Sequence, residues 1–412
     1  MRKVLVISFD VPFDNVGHAG GKTHNFYLKK IKEDKEFEPY LISFGIPEHL
    51  PKLDLDKYGI DNKVFIIRPE KRYKLLRGVV NISSRYNPWN RYAGIIPQYY
   101  INKIMGHIKK MKENGYKPEI IVLEWTPIVL LAPRIKEVFP EAKIIASEHD
   151  VTFLGYRRKY EYETKPLKKA KKKIQYRIMR DAELKAIEVC DYVCPHNHKD
   201  AALLYKAGVP KAKIHPIVPF YMDFTDVEWK GGSNNIVFFG AMGREENHLS
   251  AMWFIDNVMP LLRDTDAVFQ VIGGGPNGEL KSRQSDKVQV LGFVDDVAPY
   301  FAEAACMAAP LVLGAGIKVK VIEGMSSGVP VLTNDIGIEG INAKDGEEYI
   351  HCETPEDYAK AIRNLLQNRQ EAMRISKNAK KMIREKFDME RSAEKYIKML
   401  RLGDSVKNHA DA

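Results

Sequence analysis

The residues best suited to holding an anion lie in one stretch, LVLGAGIKVKVIEGMSSGVPVLTNDIG (311–337). A short apolar run at 311–313 breaks at Gly314 and Gly316. Apolar residues at helical spacing follow (Ile317, Val321, Ile322, Met325), Gly328 ends them, and 329–333 reads as a new strand. The spacing predicts a strand–loop–helix–strand unit with glycines at the helix entrance. There the first amides have no intrahelical partner and the helix dipole attracts negative charge, so the entrance suits a phosphate. This reading puts Lys318 and Lys320 in the first turn, where cations oppose the dipole and make better sense beside a bound anion. Glu323, one or two turns inside, can accept hydrogen bonds from a diol such as ribose. An ordinary turn carrying solvated lysines fits the same letters.

Three other clusters carry chemistry. In FFGAMGREENH (238–248), Gly240 and Gly243 open a loop from which Arg244 and His248 can reach a phosphate. SEHD (147–150) ends an apolar run, and His149 there can exchange a proton near neutral pH. Gly20 and Gly21, after the first apolar run and before a predicted helix at 22–31, would bring backbone amides close to a ligand, or serve a turn that needs positive φ. A competing motif is VIGGGPNG, whose Gly273, Gly275 and Gly278 fit the GxGxxG dinucleotide pattern. Its context argues against NAD: Pro276 falls inside the loop, and no acidic residue ends the next strand where a ribose would need one.

These clusters need elements to hold them. Apolar runs at 4–9, 40–44, 64–68, 120–125, 143–147 and 191–194 alternate with helical patterns, and a second series follows at 236–239, 268–272, 288–291, 306–310 and 329–333. Such alternation predicts α/β architecture with mostly parallel sheets, in which ligands sit at the carboxyl ends of strands. At 412 residues the chain is too long for one core. The break is expected between 215 and 234, where two prolines and a Gly-Gly-Ser-Asn cluster interrupt the periodicity. Asn247 and Thr354 are predicted helix N-caps. Three helical patterns close the chain to about Leu402, and the tail 403–412 reads as disordered.

Composition narrows the classes. The chain is 45% hydrophobic and 29% charged with a formal charge of +10, as expected of a globular protein with an anionic partner. No apolar run approaches a bilayer span, and the strand-like 1–9 opening has no cleavage site behind it, so a cytoplasmic location is expected. Cys190, Cys194, Cys306 and Cys352 form no zinc or CxxC spacing and read as buried thiols. Residues 156–185 hold twelve Lys or Arg against four acids, with Leu167, Ala170, Ile174, Ile178 and Leu184 at helical spacing. An anionic membrane surface or a plain solvated face fits this stretch better than nucleic acid, for which no motif is present.

FFGAMGREENH, VIGGGP, VLGFVDDVAPYFAEA and PLVLGAGIKVKVIEGMSSGVPVLTNDIGIEGI, in this order and spacing, resemble the donor-binding half of the retaining glycosyltransferases of family 4. The N-terminal likeness is thinner, carried by Gly20-Gly21, Glu148-His149-Asp150 and DYVCPHNHKDAALL. The resemblance implies the GT-B fold: two Rossmann-like domains with parallel sheets facing a central cleft, 1–218 for the acceptor and 219–385 for the donor. A last helix, 386–401, is expected to return to the N-terminal domain.

The same resemblance implies roles for individual residues. Glu323 matches the second glutamate of an E-x7-E motif that clamps the ribose. Arg244 with Lys318 or Lys320 matches the basic pair that neutralises the diphosphate, and the spacing leaves open which lysine serves. Amides at Gly316 and Ile317 would face sugar and phosphate, with Gly243 and Gly21 in loops approaching the donor. Gly292, Phe293 and Val294 lie where the family places the base. His149 matches a cleft histidine, so the catalytic set is His149, Arg244 and Lys320. At the first motif glutamate stands Ala315, as in GxGIKxK-type members, and no donor sugar is transferred from it.

The implied reaction moves a sugar from a nucleotide-diphosphate sugar of UDP or GDP type to a saccharide or lipid-linked acceptor, with retention. It would use no cofactor and no metal, because fixed cations replace a metal's role. A nucleotide-sugar epimerase is the alternative within the fold, and a basic nucleic-acid-binding protein the alternative outside it.

Overall fold

A computed structural model describes residues 1–14, 16, 19–67, 98–219 and 224–402. The chain packs as two units: Met1–Val218 joined by the chain from Glu390 onward, and Pro219–Met389.

Unit 1 is built on a parallel six-stranded sheet of β1 (Arg2–Ile7), β2 (Phe37–Gly45), β3 (Asp61–Ile66), β4 (Ile120–Glu124), β5 (Lys143–Glu148) and β6 (Tyr192–Pro195), in the order β3-β2-β1-β4-β5-β6. The central strands are near-continuous apolar runs because helices cover both faces. Val4 and Val6 of β1, Leu41 of β2, and Ile120 and Val122 of β4 pack in one core. The helix Met389–Leu400 belongs to that core: Tyr396, Met399 and Leu400 are buried in it, and the Tyr27 and Tyr396 rings stack at 4.1 Å. This helix starts three residues later than the expected 386.

Two corrections concern unit 1. The first helix is Ala19–Glu33, so Gly20 and Gly21 lie in its first turn instead of preceding it. Neither has positive φ, which removes the turn explanation. The basic stretch forms two helices, Thr152–Tyr162 and Pro166–Val189, split where Pro166 can only start a helix. Buried Glu183 of the second accepts hydrogen bonds from the Thr152 and Phe153 amides, closing the open N-terminus of the first. Leu167, Ile174 and Ile178 are exposed between the lysines. Among the described residues, no helix is long and apolar enough to cross a membrane.

Unit 2 repeats the architecture. Its strands are β7 (Asn235–Phe239), β8 (Val268–Ile272), β9 (Val288–Gly292), β10 (Cys306–Ala309), β11 (Val331–Thr333) and β12 (Ile350–His351), all parallel, in the order β12-β11-β10-β7-β8-β9. Two-residue β12 is too short to register as periodicity. Leu311 and Leu313 are buried but not extended into a strand; β10 ends before them. Thr354 caps Pro355–Gln367 through a capping box with Asp357. Asn247 does not cap: the helix is Glu245–Asn257 with Arg244 at its N-cap, and Asn247 lies one turn inside. All four cysteines are free and buried.

Candidate functional site

Parallel pairing of β10 with β7 and of β7 with β8 brings three glycine loops to one end of the unit 2 sheet. The Gly273–Gly275 loop after β8 meets the Gly240–Gly243 loop after β7 backbone to backbone. Gly240 N–H donates to the Ile272 carbonyl at 3.0 Å and Gly243 N–H to the Gly274 carbonyl at 3.2 Å. Gly273 has φ 138°, and a Cβ there would sit 1.8 Å from the Gly240 carbonyl oxygen. Two of the three dinucleotide-like glycines, Gly273 and Gly275, are thereby explained by close packing of two loops; a Cβ at Gly278 would meet nothing within 4 Å.

The third loop ends in the helix Val319–Ser327. Lys318 is its N-cap, so only Lys320 lies in the first turn, and the two lysines differ in surroundings. Lys318 is buried, donates to the Gly316 carbonyl and lies 3.4 Å from the Glu339 carboxylate. Its charge is compensated by Glu339, and a Cβ at Gly314 would meet its side chain at 2.9 Å. Lys320 donates to the neutral Asn247 side-chain oxygen and sits 5.0 Å from the Phe238 ring centroid. A Cβ at Gly240 would be 3.0 Å from its Nζ. Burial, reinforced by the Arg244 charge, pushes Lys320 down to about 8. A partly desolvated ammonium whose hydrogen-bond partner is neutral is a place where an added anion is favoured.

Arg244 is largely exposed and pairs with Glu246. His248 is held by the Asn277 amide at 3.1 Å, with Glu279 at 3.6 Å. Glu323 lies one turn into the helix behind Lys320, close enough to act on its charge. Gly292 ends β9 and accepts from Gly273 N–H at 2.6 Å. Phe293 beyond it is 76% exposed, beside Gly274, and Val294 is half-buried. Gly316 (φ 64°) and Ile317 form the backbone leading into the helix. Thus Gly243, Arg244, Gly292, Phe293, Val294, Gly316, Ile317, Lys318, Lys320 and Glu323 all fall on loops or helix starts at strand carboxyl ends of unit 2. Elsewhere in this unit, His351 Nε2 lies 3.8 Å from carboxylate oxygens of both Asp335 and Glu353, on the exposed ends of β11 and β12.

His149 and Gly21 belong to unit 1. His149 follows β5 and donates from Nε2 to Glu124 Oε2 at 3.0 Å, and its ring stacks on Trp125 at 4.3 Å and 14°. The His196 ring lies 4.1 Å away on centroids. Burial alone would push Glu124 up, but the facing imidazoles of His149 and His24 outweigh it and hold the carboxyl well below the usual range. Burial and the neighbouring His149 hold His196 well below the histidine range, so it is neutral. Burial pushes Glu148 up to about 8, although the Thr126 hydroxyl bonds to it. Trp125 has φ 67°, a strained backbone for a bulky residue. That strain aims the indole at His149 and Gly20.

Glu124, Trp125 and Tyr396 were not singled out from the sequence. Glu124 ends the IIVLE strand, where the rule that selected His149 would have found it. Tyr396 gave no signal, because its partners are 272 and 369 residues away.

Residues 233–368 match the family model for glycosyl transferases group 1. Over 181 residues the chain is 25% identical to an uncharacterized 44.6 kDa protein in the cps region of Klebsiella pneumoniae, a stretch covering 41% of this chain and 46% of that protein. The chain thus matches about half the length of that relative. Among solved structures, a sucrose-phosphate synthase of Thermosynechococcus elongatus superposes with TM-score 0.70 at 14% identity, covering 98% of this chain and 100% of that one. HepE of Anabaena in complex with UDP superposes with TM-score 0.64 at 13% identity, covering 97% and 99%. This likeness shows the GT-B fold.

Proposed function

We propose that the chain is a retaining, metal-independent glycosyltransferase that moves a sugar from a nucleotide-diphosphate sugar to a saccharide or lipid-linked saccharide acceptor. The observation that carries the reading is Lys320: a partly buried ammonium hydrogen-bonded to a neutral amide, at a glycine-rich helix entrance, inside the stretch that matches glycosyl transferases group 1. Breaking the anomeric bond leaves negative charge on the diphosphate. Lys320, Arg244 and the amides at Gly316 and Ile317 stabilise that charge without reorganising, in the role a metal would otherwise fill. Glu323 clamps the ribose, and Lys318 shapes the loop. Ala315 supplies no carboxylate nucleophile, so retention proceeds by front-face return, with the leaving phosphate accepting the acceptor's proton.

UDP is the first nucleotide to test. HepE structures hold UDP and UDP-glucose, and a TarM structure from S. aureus holds UDP with alpha-GlcNAc-glycerol. The cps region of the Klebsiella relative supports a saccharide acceptor in polysaccharide assembly. The exposed apolar stripe Leu167, Ile174 and Ile178 among lysines supports docking on the anionic cytoplasmic face of a membrane. Transfer from UDP-sugars to saccharide acceptors in EDTA is the test. Donor turnover without acceptor would favour the epimerase instead.

A further inference from the structure

The Glu124 carboxylate lies inside unit 1, 1% exposed at the end of β4. Its two oxygens face different partners. Oε2 accepts from His149 Nε2 at 3.0 Å, and Oε1 accepts from the Tyr396 hydroxyl at 2.9 Å, with His24 Nδ1 3.8 Å away. Tyr396 comes from Met389–Leu400, the helix with which the chain rejoins unit 1 after unit 2. That helix is keyed in place twice more: Ser392 shares a hydrogen bond with the Tyr27 hydroxyl and donates to the Val218 carbonyl at 3.0 Å. Burial and the Glu124 charge hold the Tyr396 hydroxyl well above the usual tyrosine range, so it stays a donor.

The consequence falls on His149. An ionised carboxylate only accepts, so Glu124 requires the proton on Nε2. Nδ1 is then the nitrogen on the Gly20 side, where a Cβ at Gly20 would be 3.4 Å away. Trp125 on one face and His196 beside the ring prevent rotation. We propose that Glu124 and Tyr396 are positioning residues for His149: the carboxylate fixes its tautomer, and the last helix, through the Tyr396 hydroxyl, fixes the carboxylate. This rests on the glycosyltransferase reading only in giving His149 a part in transfer.

The test reads the tautomer directly. Side-chain 15N spectra of the full-length protein, with His149 assigned by comparison with His149→Gln, should show the neutral ring protonated on Nε2. In Glu124→Gln, Tyr396 still donates to the carbonyl oxygen, which turns the amide NH2 toward His149. The ring should therefore change to Nδ1–H, and kcat should fall roughly a hundredfold or more, as when a histidine's orienting carboxylate becomes an amide. Adding Tyr396→Phe frees the amide to turn over and should restore Nε2–H. Tyr396→Phe alone, which keeps the ring stack on Tyr27, should lower kcat roughly tenfold with donor KM unchanged. Three results would overturn the proposal: Nδ1–H in the wild type, an unmoved tautomer in folded Glu124→Gln, or a reversed tautomer with undiminished kcat. The spectra need no turnover, so an inactive wild type would count against the glycosyltransferase reading and leave the tautomer to decide this one.

Discussion

The two units place polar groups at the carboxyl ends of similar sheets, yet treat charge in opposite ways. In unit 1 the Glu124 carboxylate is compensated internally, by His149, His24 and Tyr396. In unit 2 the Lys320 ammonium is half-buried against a neutral amide, and the cost of its desolvation appears as a lowered pKa. A charge paired with hydrogen-bonding partners of opposite sign holds geometry; one whose direct partner is neutral favours an added group of opposite sign. Lys318 shows the contrast within one loop, since with Glu339 beside it the same residue type becomes structural.

Predictions follow this contrast in decreasing size. Lys320→Ala should lower transfer kcat by about a hundred- to a thousandfold, the usual loss for a preorganised group facing developing charge, while binding of the bare nucleoside changes little. Lys318→Ala should lower the melting temperature more than it lowers kcat; equal kinetic losses for both lysines would erase the distinction. Glu323→Ala should weaken nucleoside diphosphate binding by roughly ten- to a hundredfold, since a hydrogen bond to a charged group contributes about 1.5–3 kcal/mol. Unchanged affinity in calorimetry would remove the ribose clamp.

Two effects of pH are smaller. Lys320 is pushed from 10.5 to about 8; if its protonated form holds the diphosphate as proposed, affinity should be full below that value and fall as pH rises through it. Binding near pH 8 should take up protons, measurable by calorimetry in buffers of different ionisation enthalpy. Glu148 is pushed from 4.5 to about 8 by burial, so the folded chain keeps a proton the unfolded chain gives up. Stability should fall as pH rises across that window, and Glu148→Gln should flatten the fall in a series of thermal melts.

The fold was legible because parallel strands buried on both faces are apolar along their whole length. Eleven apolar runs overlap strands β1–β11, the central ones buried throughout and the edge strands β3 and β9 only in part. The candidate site residues of unit 2 were legible because glycines mark loops and a lysine at a helix start opposes the dipole. The choice between Lys318 and Lys320 was not, since it depends on Glu339, nineteen residues past Lys320 in sequence and joined to the loop only by folding. Asn247 was misplaced for a similar reason: its type suggests a cap, and its side chain instead serves the Ala241 carbonyl and Lys320.

The most direct measurement is calorimetric titration of the wild type, Glu323→Ala and Lys320→Ala with UDP and GDP in the presence of EDTA. The account predicts that one nucleoside diphosphate binds the wild type without metal and that both variants weaken it. No binding in EDTA with binding restored by a divalent cation, or equal binding by all three proteins, would contradict it.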